Sequence, residues 1–274
     1  MNQTILRGPE PQAARATTEA ADWEAFAREL DDWTRSGRRA TFWWRDDDAI
    51  DATPALDRLL RLSARHRAPL ALAVIARDAT PALAARVAAG ADIHVLQHGW
   101  DHRNHAPAGT KKAELGDDRP DAALSAALAE GRRRLVGLFG ERFVPVLTPP
   151  WNRIGQRAQA LLPGLGYRGL TTFGARRADD IDGRVNTHLD IIDWRGTRGF
   201  AGDAACLRVV IDHLAGRRAG RYDSAEPTGL LTHHRDHDAG CWRFVARFLA
   251  TVDGHPAADW LSPATLFPGD GAGH

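Results

Sequence analysis

A chain of 274 residues, 43% hydrophobic and 26% charged, has the composition of an ordinary soluble enzyme and the length for one large α/β barrel. A formal charge of +1 without a basic stripe gives no footing to nucleic acid or an anionic membrane, and twelve histidines make the charge sensitive to mild acid. Cys206 and Cys241 stand far apart with no paired metal spacing and read as buried thiols. No apolar run between Met1 and Ala20 resembles a signal peptide, and no later segment is long and apolar enough to span a bilayer, so the expected location is cytoplasmic.

Residues 1–18 are polar and rich in Gly, Pro, Ala and Thr, which predicts a flexible leader before a single barrel domain over 19–274. Trp23, Phe26, Leu30 and Trp33 recur at helical spacing and mark an amphipathic helix ending near Gly37. Ala40 to Arg45 is a compact aromatic run and reads as a buried strand with Asp46, Asp47 and Asp48 at its C-terminal end. Thr53-Pro54 caps a helix over 54–66; Leu70 to Ala76 is a strand; Thr80-Pro81 opens a helix stopping near Gly90; Ile93 to Gln97 is a strand ending at His98. A long helix over 121–139 precedes the strand Phe143 to Leu147, which runs into Thr148-Pro149-Pro150. Further strands are expected at 168–172, 189–193 and 228–232, with helices near 155–162, 203–217 and 240–252. This alternation predicts an α/β fold, a distorted barrel of seven or eight parallel strands. The polar clusters all follow apolar segments, which collects them on the C-terminal rim where such barrels build their sites.

His98 and His102 stand four residues apart just past a buried strand, close enough for both imidazoles to reach one ion. A carboxylate from another strand end completes a set of three protein ligands with an open fourth position, the arrangement of a catalytic metal. Asp46 to Asp48 follow a buried strand, and three adjacent carboxylates there need a cation or an arginine to offset their repulsion. The bland alternative is an acidic turn that caps the next helix. In the cluster His233-His234-Arg-Asp236-His237-Asp238, one imidazole is a candidate general acid tuned by Asp193 or Asp190; a second metal site there is the rival reading. Trp43, Trp100, Trp151 and Trp194 are candidates to stack on sugar rings or to fill core.

Taken in order over roughly 40–240, these clusters resemble the polysaccharide deacetylase family, carbohydrate esterase family 4. Arg45-Asp-Asp-Asp48 is similar to its first motif, His98 and His102 to its second, Pro149-Pro150-Trp151 to its third, Asp190-Ile-Ile-Asp193-Trp194 to its fourth and Leu230-Leu-Thr-His233 to its fifth. The resemblance implies a hydrolase that removes an acetyl or related acyl group from an N-acetylated sugar or similar amide, acting on a small-molecule or oligosaccharide substrate. It implies Asp47 as general base, His233 as general acid, and Asp48, His98 and His102 as ligands of a divalent metal, for which zinc suits the donors best. Pro150, Trp151, Asp193 and Trp194 would line the substrate, with the Trp151 N–H facing the oxyanion. Three aspartates replace the usual two, so Asp46 and Asp47 are the alternative base and ligand, and His234 is the alternative acid. Thr148 stands where the family has an arginine that orients the base, which leaves Arg45 or Arg153 for that task. A metal-dependent amidase or esterase on a non-carbohydrate substrate, and a barrel that binds without turnover, are the other readings.

Overall fold

The structure, a computed structural model, describes residues 12–177, 180 and 183–269. Helix α1 (Gln12–Arg35) begins inside the segment expected to be a flexible leader. The cause lies in the chain, since Gln12-Ala-Ala-Arg-Ala is built of strong helix formers that extend the amphipathic helix backwards. Residues 1–11 of the expected leader lie outside the described residues. Trp23, Phe26, Leu30 and Trp33 are buried as their spacing requires, with Phe26 stacked on Phe248 at 5.4 Å.

Strands β1 (Ala40–Ala49), β2 (Leu70–Val74), β3 (Ile93–His98), β4 (Phe143–Thr148) and β5 (Gly169–Leu170) alternate with α2 (Pro54–Arg65), α3 (Pro81–Ala89), α4 (Asp121–Phe139) and α5 (Gln156–Leu161). Then follow β6 (Leu189–Asp190), α6 (Asp203–Arg218), β7 (Thr228–Thr232), α7 (Ala239–Asp253), β8 (Ala258–Trp260) and α8 (Pro263–Leu266). Thr53 and Thr80 cap α2 and α3 by accepting from Leu56 N and Leu83 N, with proline next in each case. The sheet order is β5-β4-β3-β2-β1-β7-β6, all parallel. Isolated parallel bridges Leu170–Arg184 and Phe173–Thr187 bring the β5 end against the segment leading into β6, so the two ends of the sheet meet and the barrel is distorted rather than open.

Alternation along the strands divides the side chains. Trp43, Ala71, Leu96, Val144, Val146 and Val185 fill the interior with Phe267, which follows α8. Phe42, Trp44, Leu70, Leu72 and Leu230 face outward into the helical layer. Trp43, a candidate rim aromatic, is therefore interior packing: it is wholly buried, and its indole N–H donates to Asn186 O at 2.8 Å. The strand expected over 189–193 stops at Asp190, because Asp190 Oδ1 accepts Ile192 N and turns the chain. β8 and α8, too short to show a period, were not legible; β8 pairs with the start of β1. Cys206 and Cys241 are free and buried, and burial pushes both thiols up to about 12. Among the described residues no helix is long and apolar enough to cross a membrane.

Candidate metal centre

The first strand decides the site. β1 does not end before the aspartates but carries them, and its ladder with β2 shifts register between Asp46 and Ala49. This bulge, with Asp48 at φ 69°, sends three successive carboxylates in three directions, which is how a bulge re-aims side chains near a site. Aspartate tolerates the left-handed region better than most residues.

Asp46 points outward and is spent on structure. Its Oδ2 accepts from Thr232 Oγ1 (2.7 Å) and His234 N (2.9 Å), and its Oδ1 meets His234 Nδ1 at 2.5 Å, with both side chains wholly buried. Burial works against charge in both partners, yet their mutual attraction lowers Asp46 and raises His234. Removing one partner of a buried pair costs about 3–5 kcal/mol. Asp46→Asn is thus expected to lower the denaturation midpoint strongly. Linkage adds a pH signature. The contribution of raised His234 is complete below 6.5 and lost as pH rises through its folded value; that of lowered Asp46 is complete above 3.8 and lost as pH falls through its own. The stability gap between wild type and Asp46→Asn, followed by denaturant titration, should therefore be widest between those values and narrow in alkali. A gap that is constant with pH contradicts the ion pair.

Asp47 points into the barrel on the same face as Trp43 and Arg45. Arg45 grips it with both arms, Nε to Oδ1 at 2.8 Å and Nη2 to Oδ2 at 3.0 Å. The remaining guanidinium protons go to Thr171 Oγ1 (2.7 Å), Thr172 O (3.2 Å) and Asn152 Oδ1 (2.7 Å), so all five donors of this buried arginine are used. Arg153, the other candidate, donates to Lys112 O from an exposed position.

Asp48 turns toward the histidines. Its Oδ1 lies 3.1 Å from His98 Nε2 and 3.3 Å from His102 Nε2. The three atoms meet the spacing expected of ligands to one ion. His98 Nδ1 sits 2.9 Å from Thr148 O, a carbonyl that can only accept, so Nδ1 holds the proton and Nε2 presents a lone pair to the carboxylate. Lone pair and carboxylate oxygen repel at 3.1 Å unless a cation or second proton lies between them, and Asp48 Oδ1 is buried without a hydrogen bond of good geometry. The donor set of two imidazoles and a carboxylate therefore fits a divalent cation. Burial opposes ionisation of Asp48, but His98, His233 and His102 hold its carboxyl below the ordinary range. His98 is raised against the pull of burial by Asp47 and Asp48, whereas burial and the nearby His98 lower His102.

The chain after β4 adds a wall. Trp151 and Asn152 both have φ 55°, a conformation that costs a non-glycine residue about 1–3 kcal/mol each and gathers at functional sites. This turn sets the Trp151 ring 4.4 Å from His102 and places Asn152 Oδ1 on Arg45. Lys112 Nζ lies 5.8 Å from the Trp151 ring. Pro150 is buried; a Cβ at Gly99 would lie 2.7 Å from its Cγ, so its contact is with the histidine loop. Of the seven non-glycine residues with positive φ among the described residues, Asp48, His102, Trp151 and Asn152 stand here.

On the opposite side His233 packs edge-on to Trp194 at 4.9 Å, with its Nδ1 4.0 Å from Asp190 Oδ1. Asp190 accepts from Trp194 Nε1 at 2.8 Å, and burial pushes its carboxyl up. Asp193, expected to line the substrate, accepts from Gly196 N and Thr197 N and shapes the turn that follows β6. Trp100 packs partly buried against the outer core.

No family model and no curated protein matches the chain. Solved structures do. One is a deacetylase with substrate, at 14% identity over 85% of this chain and 92% of that one, TM-score 0.53. Another is a peptidoglycan N-acetylglucosamine deacetylase in complex with 4-naphthalen-1-yl-N-oxidanyl-benzamide, at 14% identity over 87% and 96%, TM-score 0.50. The chain has the polysaccharide deacetylase fold. A third neighbour, at 11% identity over 81% of this chain and 63% of that one with TM-score 0.52, is a family 4 pseudoenzyme from Bacillus anthracis. Within the polysaccharide deacetylase fold, the position where an arginine was expected is held by Thr148, whose main-chain carbonyl orients His98.

A second group, His188, His213 and Glu226, is buried together at the other end of β7, a convergence that its scattered positions in the sequence did not reveal. It does not suit a metal. The Gly229 N–H donates to His188 Nδ1 at 3.0 Å, so Nε2 keeps the proton and faces Glu226 Oε2 at 3.3 Å. Nor do the residues from His233 to Asp238 gather into a ligand set among the described residues, because Asp46 and His234 occupy each other.

Proposed function

We propose that this chain is a metal-dependent hydrolase that removes an acetyl or related acyl group from an amide nitrogen, with an N-acetylated sugar or a similar small amide as substrate. The observation that carries this reading is a lone, arginine-held carboxylate at Asp47 beside the converging donors of Asp48, His98 and His102. When bound there, a divalent metal, zinc by its donors, supplies Lewis-acid polarisation of the carbonyl and a water of lowered pKa. Asp47, fixed in orientation by Arg45, takes the proton from the attacking water. His233, across the site and backed by Trp194 and Asp190, returns a proton to the leaving amine. The Trp151 N–H donates to the developing oxyanion in this reading, and the rings of Trp151 and Trp194 offer faces for a sugar.

The test is zinc analysis of the purified protein together with acetate release from chitooligosaccharides and from simple acetylated amines. Zinc near one per chain and measurable release are expected; in His98→Ala and His102→Ala the metal should no longer be retained through purification, and release should be lost. A metal-free variant that keeps full activity ends the proposal. The likeness to a pseudoenzyme favours one second reading, a barrel that binds ligand without turnover. Bound zinc with no release from any acetylated substrate selects it.

A further inference from the structure

Glu114 is wholly buried in the loop between β3 and α4, and nothing in its sequence neighbourhood singles it out. Its two oxygens divide between two backbone donors of the histidine loop: Oε1 accepts from Trp100 N at 2.6 Å and Oε2 from His102 N at 2.7 Å. Arg119 Nη1 holds the Glu114 carbonyl at 3.1 Å, and the next residue, Leu115, bridges to Ile154 beyond the Trp151 turn. Room for the carboxylate comes from Gly99, where a Cβ would lie 2.5 Å from Oε2.

The two metal-ligand histidines are held differently. His98 is anchored by its place at the end of β3 and by its Nδ1 contact with Thr148 O. His102 has no strand beneath it and sits at φ 54°, a left-handed conformation that is uncommon outside glycine and that its surroundings must hold in place. Its backbone N–H is fixed from the protein side by Glu114. Without that carboxylate two inward-facing N–H groups lose their acceptors, and the loop relaxes toward solvent, carrying the His102 imidazole off the site.

We propose that Glu114 is the positioning residue of this metal site, acting on metal affinity through His102 and leaving His98 untouched. The proposal rests on the metal reading given above. Outer partners of metal ligands typically contribute about 10–100-fold in metal affinity. Apo protein is titrated with zinc against a chromophoric chelator for wild type, Glu114→Ala, Glu114→Gln, His102→Ala and the Glu114→Ala/His102→Ala double variant. Glu114→Ala is expected to weaken zinc by about 10–100-fold and Glu114→Gln, which keeps one acceptor, by less. In the His102→Ala background, removal of Glu114 should change affinity by under about threefold, since the ligand through which it acts is gone. Cobalt-loaded Glu114→Ala should show a visible spectrum moved toward that of His102→Ala.

Wild-type zinc affinity in folded Glu114→Ala overturns the proposal, as does an equal loss with and without His102. Should Glu114→Ala fail to fold, the near-isosteric Glu114→Gln carries the same comparison, and unchanged zinc affinity in it is equally decisive. Failure of wild type itself to bind zinc shows at the first titration and strikes the metal reading rather than the role of Glu114 within it.

Discussion

Asp47→Asn is expected to lower kcat by about 10²–10⁴, the usual contribution of a general base, with zinc still bound at wild-type stoichiometry. Asp48→Asn should do the reverse: zinc is lost, and activity is lost with it. The difference follows from the bulge in β1, which leaves Asp47 on Arg45 and turns Asp48 onto the two histidines. Asn at position 47 keeps the shape and one acceptor for Arg45 but has no basic lone pair for a proton. Asn at position 48 withdraws the negative charge that offsets a dication. Metal analysis and acetate release on the same preparations separate the two, provided each variant is assayed well below its unfolding temperature. An active Asp47→Asn, or a zinc-replete Asp48→Asn, rejects the assignment of base and ligand in that order.

Most of the fold was legible because parallel α/β barrels repeat one signal, an apolar run followed by a capped amphipathic helix. The caps at Thr53 and Thr80 and the run of α4 lie where the sequence places them. The site was legible in its residue types but not in its directions. Nothing in Asp46-Asp47-Asp48 says which carboxylate faces which way; that is set by a register shift relative to β2, a property of two strands together. The same bulge removes Asp46 and with it His234, so a choice among neighbours in sequence became a separation in space. Glu114, Asn152 and Thr171 were invisible for a related reason, since each acts across 12 or more residues of chain on a partner that no local pattern names. The turn that Asp193 closes by accepting from Gly196 N and Thr197 N was equally hidden, since it follows a strand only two residues long.

Arg45→Ala is expected to destabilise the fold by about 3–5 kcal/mol, since it strands a buried carboxylate whose ion-pair partner is gone. At this chain length that corresponds to a fall in Tm on the order of 10 °C. Activity should fall as well, because a base without its clamp is free to rotate or to take up a proton. Arg45→Lys keeps the charge but not the fork, and one ammonium cannot span Asp47, Thr171, Thr172 and Asn152 together. It should therefore recover part of the stability and little of the rate, assayed as Tm against kcat. The decisive comparison is Arg45→Ala/Asp47→Asn. If the two groups act as one ion pair, removing both costs less than the sum of the single losses, because neither charge is left buried alone. Strict additivity in Tm and in denaturant midpoint would instead mean that Arg45 serves the barrel core and Asp47 stands independently of it.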